Sequence, residues 1–277
     1  MFYIIIFFFI HLNANYGAVV DGHIVEAYKV PPLSVSQETI TSWKKYDQQL
    51  HDYLSTSIPE ALAHTGASSF DSHLKGVQSV LRHWGSDEVL VNAGLFHSIY
   101  GTEGFQGYKL PLSKRVEIRK LIGREAERLA WIFCMVDRST VDDSLYVCEQ
   151  QDTRKFEFRA RPELGNFPII LDGEKEWLDF LELTLADWLE QVEGAAEKAN
   201  PLFEWAKGEA WSYRRLAYLK MADILVLRRG KHIAKQMHTE IYAIEPEKTR
   251  KLHQIITPPM SSAAREAREA MLSALDQ

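Results

Sequence analysis

The chain reads as all-α, with a small β-hairpin or extended insertion and helical additions at the C-terminal end. Three observations predict this. Apolar residues recur at three- and four-residue intervals in Leu74, Val77, Val80, Leu81 and Trp84. The same period returns in Trp177, Leu178, Leu181, Leu185, Trp188, Leu189 and Val192. Two-residue alternation appears only briefly, in Ser144 to Cys148 and Lys155 to Arg159.

The 277 residues suit one large domain with extensions, and 46% hydrophobic with 25% charged residues is ordinary for a water-soluble globular chain. A formal charge of -6 gives no support to nucleic-acid binding, which leaves a basic footprint. Cys134 and Cys148 make neither a disulfide framework nor a zinc-knuckle spacing, and Cys134 reads as a small core residue.

Residues 2–10, FYIIIFFFI, are wholly apolar but too few to span a bilayer. They match the core of a signal peptide, without the basic start or a small-residue cleavage site. Residues 1–20 are therefore set outside the fold. The expected location is cytoplasmic, with secretion as the alternative if this segment is a signal. A helical domain is expected over 36–260 and a separate helix over 261–277. Val19 to Ser36, with Pro31-Pro32, reads as an irregular lead-in. Ser36 then caps a helix to about Leu54 with Ile40, Trp43, Tyr46 or Tyr53, and Leu50 on its apolar side. Pro59 suits the first turn of another helix near Ser57 to Glu60.

Phe70 to Glu103 reads as two helices joined at Gly85-Ser86, the second starting at Ser86, Asp87 and Glu88. His73 lies four positions before Val77 and His97 seven after Leu90, so each helix carries a histidine on its inner face. Gly94 would let a neighbouring helix approach closely. Two inward histidines are either core residues satisfied by hydrogen bonds or donors to a pocket where neutral imidazole ligates a metal.

A histidine followed at this distance by a helix ending AGLFHS resembles the HD-domain metal-dependent phosphohydrolases. The nearest wording is that of the branch that hydrolyses guanosine polyphosphates. The likeness covers roughly 60–195. It implies an HD-like helical core with metal ligands at His73, His97 and Asp187, the last in LTLADWLEQ. The family's adjacent aspartate falls on Ser98, a poor neutral ligand, so one ion (Mn, Fe or Zn) is expected rather than two, or none at all. Asp223 in KMAD is a rival for the distal aspartate; Asp187 is preferred because a compact HD core is complete there. The resemblance also places a substrate-side basic residue at His64 and an acidic group at Glu103. The wording WG…AGLFHSIYGTEGF further resembles an HD-related family that carries no activity with it.

On this reading Glu103 and His64 are the catalytic candidates, and Arg138 and Tyr100 contact a small anionic substrate. The plain alternatives stand beside them. His64 is an exposed loop residue, Arg138 belongs to a local ion pair or helix terminus, and Tyr100 and Phe105 pack the loop. The Ser98–Tyr108 loop lacks the P-loop lysine pattern. Leu112 to Val136 is helical in character: Ser113 precedes Lys114, Arg115 and Glu117, and a helix with Ala126, Leu129, Ala130, Phe133 and Cys134 inward follows. Residues 139–171 read as less helical, with a basic cluster of Arg154, Lys155, Arg159 and Arg161. Later helices are expected over Glu174 to Val192, Trp211 to Leu227 and Ser261 to Leu275. His232, His238 and His253 form no ligand spacing. The expected activity is mononuclear-metal hydrolysis of a small phosphate ester or nucleotide-like molecule. The alternatives are a catalytically silent protein that binds a small anion or a protein partner, and an iron-dependent oxygenase.

Overall fold

The computed structural model describes residues 18–20, 23–25, 35–57, 70–103, 109–147, 156–196, 214–243, 258 and 260–275. Ten α-helices and two hairpins occupy these residues. The hairpin of β1 (Ala18–Val20) and β2 (His23–Val25) stands where the sequence suggested an irregular lead-in. Helix α1 (Gln37–Ser57) begins as expected, the Ser36 hydroxyl accepting the Thr39 amide at 3.1 Å. It buries Leu50 and Leu54, while Tyr46 stays exposed. The helix expected near Pro59 lies outside the described residues.

Helix α2 (Phe70–His83) packs against α3 (Glu88–Phe96), and the turn between them is the expected one. Asp87 is the N-cap, accepting the Leu90 amide at 3.0 Å, whereas the Ser86 hydroxyl donates to Glu182 at 2.5 Å. From Leu90 to Phe96 every residue of α3 is buried, as in a helix enclosed by protein on all sides. A Cβ at Gly94 would lie 2.5 Å from Leu81 Cδ1 and 3.6 Å from Gln78 Cα, so α2 does approach closely there and any side chain would displace Leu81.

The stretch from Leu112 to Val136 is helical as expected, and it is divided in two. Helix α4 (Arg115–Ile122) stops at Gly123, whose φ of +88° interrupts helical backbone, and α5 (Arg124–Met135) restarts at once. Helix α6 (Arg138–Tyr146) runs through Ser144 to Tyr146, part of the segment read as alternating. The Asp137 carboxylate caps it through the Ser139 amide, and Asp142 is bound by the buried Arg214 at 2.5 and 2.9 Å. A cap plus a tertiary ion pair outweighs β-prone composition over so short a span. The hairpin lies further on: β3 (Glu157–Arg159) pairs antiparallel with β4 (Pro168–Ile170).

Helix α7 (Gly173–Ala196) is the centre of the molecule. Helices α2, α3, α5, α8 (Arg215–Arg229) and α9 (His232–Ala243) all pack on it. Trp177 to Leu189 is buried without a break, so the single apolar stripe read from the sequence understates its enclosure. Its buried charges are paired. Glu182 meets Arg229 at 2.9 Å and Lys231 at 2.8 Å, and Asp179 meets Arg229 at 2.5 Å. Helix α10 (Ser262–Leu275) docks on α6, where Tyr146, Leu216 and Ala264 form a small separate apolar cluster. Among the described residues no helix is long and apolar enough to cross a membrane.

Candidate metal centre

His73 sits one turn into α2, His97 caps the end of α3, and Asp187 lies on α7. The packing of these helices brings the three side chains together. His73 Nε2, His97 Nε2 and Asp187 Oδ1 form a triangle with every side 3.2 Å. Ligands about 2.0–2.2 Å from one ion stand roughly 3.0 Å apart at right angles and about 3.4 Å apart tetrahedrally. The triangle falls between these limits. His97 is fully buried and Asp187 is 5% exposed, so water competes weakly for these atoms.

The other ring nitrogens face acceptors. His97 Nδ1–H donates to the Gly94 carbonyl at 2.7 Å, and His73 Nδ1–H donates to the Glu190 carboxylate. With Nδ1 protonated on both rings, neutral imidazoles turn two lone pairs toward a carboxylate. Three acceptors at 3.2 Å from one another repel unless a cation or a proton lies between them. Without an ion, His73 stands between two carboxylates. Burial lowers its pKa, but the Glu190 and Asp187 carboxylates outweigh this and raise it to about 10. Burial likewise acts to raise Asp187, yet the hydrogen bonds and charges of His73 and His97 hold its carboxyl far below the usual range. These donors can chelate one divalent ion, and the set suits a borderline transition metal.

The walls orient His97. Its ring meets His73 edge-on at 5.0 Å and Phe133 edge-on at 4.8 Å, while the Cys134 thiol donates to the His97 carbonyl at 3.0 Å. Burial pushes the Cys134 thiol up to about 12, in keeping with a core residue. Arg138 opens α6 with its guanidinium 4.4 Å over the Phe133 ring, and its Nη1 is 3.9 Å from Asp187 Oδ2. Asp137 is the N-cap of α6, and Arg138, the first residue of that helix, stands beside Asp187.

The remaining candidates are placed as follows. Glu103 is exposed and accepts the Arg138 amide at 3.2 Å; it is not one of the three clustered donors. Tyr100 is buried with its hydroxyl donating to Glu127 at 3.1 Å, in a network that holds Glu127 to Arg115 and Arg119. Asp223, the rival aspartate, pairs with Lys235 at 2.8 Å and is half exposed. Ser98 is buried beside His97. Arg161 is buried rather than solvated, pairing with Glu163 at 3.1 Å. His64, Phe105, Cys148, Arg154, Lys155 and His253 lie outside the described residues. Glu190 was missed by sequence reasoning. Its signal was its place one helical turn after Asp187.

A family model described as Domain of unknown function (DUF6817) matches residues 53–138. That span holds both histidines and ends at Arg138, while Asp187 and Glu190 fall beyond it. No curated protein and no solved structure matches the chain.

Proposed function

We propose that the chain is a divergent HD-type hydrolase that uses one metal ion on a small phosphate ester or nucleotide-like substrate. The observation that carries this reading is the donor arrangement: His73, His97 and Asp187 present three acceptor atoms 3.2 Å apart with both imidazole Nδ1 atoms already engaged. The HD likeness adds support through the order of these residues and the helix pair that carries the histidines.

A divalent ion held there would supply Lewis acidity and lower the pKa of a bound water. The chain's own groups do the rest. The Arg138 guanidinium, supported on Phe133, offers charge-assisted donors to a substrate anion beside Asp187. Glu103, tied to the Arg138 amide, is the general base of this reading, and His64 is its second anion-side group. Enclosure of His97 and Asp187 keeps bulk water from the ligand atoms.

Ser98 favours a second reading, a catalytically silent pocket that retains the two histidines and binds a small anion. Metal content by mass spectrometry on tag-free protein separates the two. Near one transition metal per chain, lost in His97→Ala, supports the hydrolase. Phosphate-ester turnover that falls at least tenfold in Glu103→Gln at unchanged metal content would then support its chemistry. Protein that stays empty after addition of Mn, Fe or Zn removes the hydrolase reading.

A further inference from the structure

We infer that Glu190 is a positioning residue for the metal centre and that Gly76 is the notch that admits it; the inference rests on the metal reading above. Two helices supply the parts at matched spacing. On α7, Glu190 follows Asp187 by one turn, and on α2, Gly76 follows His73 by one turn. The Glu190 carboxylate lies across this seam. One oxygen accepts from His73 Nδ1, and the other rests against α2 where residue 76 has no side chain. A Cβ on Gly76 would stand 2.2 Å from Glu190 Oε1, 2.7 Å from Cδ and 2.8 Å from Cγ. No ordinary contact is so short, so any side chain at 76 must push the carboxylate away from His73.

The two histidines are thus held by different means. His97 is oriented by the carbonyl of Gly94 in its own helix, an anchor that forms whenever α3 forms. His73 depends on a side chain from a helix 117 residues away. A carboxylate on Nδ1–H keeps the proton there, presents Nε2 to the ion and makes that nitrogen a better donor. Glu190 therefore sets how tightly the centre holds its ion, without touching the ion or the substrate.

Zinc affinity measured against a chromogenic chelator tests this, using the full chain, Glu190→Gln, Glu190→Ala, Gly76→Ala and the double variant Gly76→Ala/Glu190→Ala. Loss of Glu190 should weaken zinc binding about 10- to 100-fold. Gly76→Ala should weaken it comparably, and the double variant should bind no worse than Glu190→Ala, because the notch acts only through the carboxylate. Long-range ¹H–¹⁵N spectra of the zinc-loaded proteins should show His73 protonated at Nδ1 in the wild type and a changed pattern in the variants. General loosening of the fold would not move that signal selectively, and Glu190→Gln keeps the volume should the alanine variant fold poorly. Variants within twofold of the wild type overturn the inference, as does a further loss for Gly76→Ala on the Glu190→Ala background. A wild type that takes up no zinc removes the metal reading, and this inference with it.

Discussion

Ser98 is the residue at which the HD likeness and this chain part, where the family carries an aspartate. It is 5% exposed and directly follows His97, and on the HD likeness a carboxylate there would add a hard anionic donor to the triad. In metal-free protein the same carboxylate would be a further buried negative charge, and its desolvation would cost stability. Ser98→Asp should therefore melt lower than wild type without metal and gain a larger rise in Tm with saturating Mn or Zn. Thermal melts with and without metal check this. A metal-induced shift no larger than in wild type would mean that position 98 does not face the ion. Arg138 shows how one residue can serve both structure and site: its amide fixes Glu103 and its guanidinium stands by Asp187.

At the scale of elements, the contact of α9 with α7 holds a buried histidine with no hydrogen-bond partner among the described residues. His238 is 2% exposed, both ring nitrogens lack hydrogen-bond partners among the described residues, and its ring lies against Trp188 at 5.5 Å. Burial, then the charges of Lys235 and Arg215, push its pKa down to about 3. The folded state keeps it neutral, while in the unfolded chain it takes a proton below about pH 6.5. Stability from this group is therefore complete above about 6.5 and falls as pH drops from there toward 3. Between pH 7 and pH 5 the loss should be about 2 kcal/mol. Urea unfolding at the two pH values should show this extra loss in wild type and not in His238→Leu. Equal losses in both proteins would place the acid sensitivity elsewhere. Gly123 acts at the same scale, since its positive φ divides α4 from α5 and thereby aims α5 at α3 and α7.

Across the whole molecule, α7 is held by ion pairs as well as by apolar contact. Glu182 is fully buried and joins Arg229 and Lys231, at the α8–α9 turn, to Ser86 at the α2–α3 turn. Its removal leaves Lys231, partly desolvated by the fold, without a carboxylate partner among the described residues, while Arg229 keeps Asp179. Glu182→Ala should cost about 3–5 kcal/mol, the range for breaking a buried pair on one side. Chemical denaturation measures it, and a cost under about 1 kcal/mol would show that water re-enters to replace the carboxylate. The central apolar cluster runs from Leu50 in α1 to Ile241 in α9, so the helices that carry the triad share one packed interior.

The sequence by itself determined the helices around the site and two of its three donors. Period and caps are local, so His73 and His97 could be set on inner faces and the turn near Ser86 located before any packing was known. Asp187 came with the HD likeness and was preferred there over Asp223, and the structure sets Asp187 with the two histidines and Asp223 on Lys235. Only the tertiary structure decided that Glu190 holds His73, that Tyr100 serves Glu127, and that Asp179 and Glu182 are buried partners rather than a solvated face. The physical reason is range. A helix is written in neighbours three and four residues apart, but a charge is buried or bare according to what another helix brings to it, and no spacing within α7 states that α2 will lie across it at Gly76.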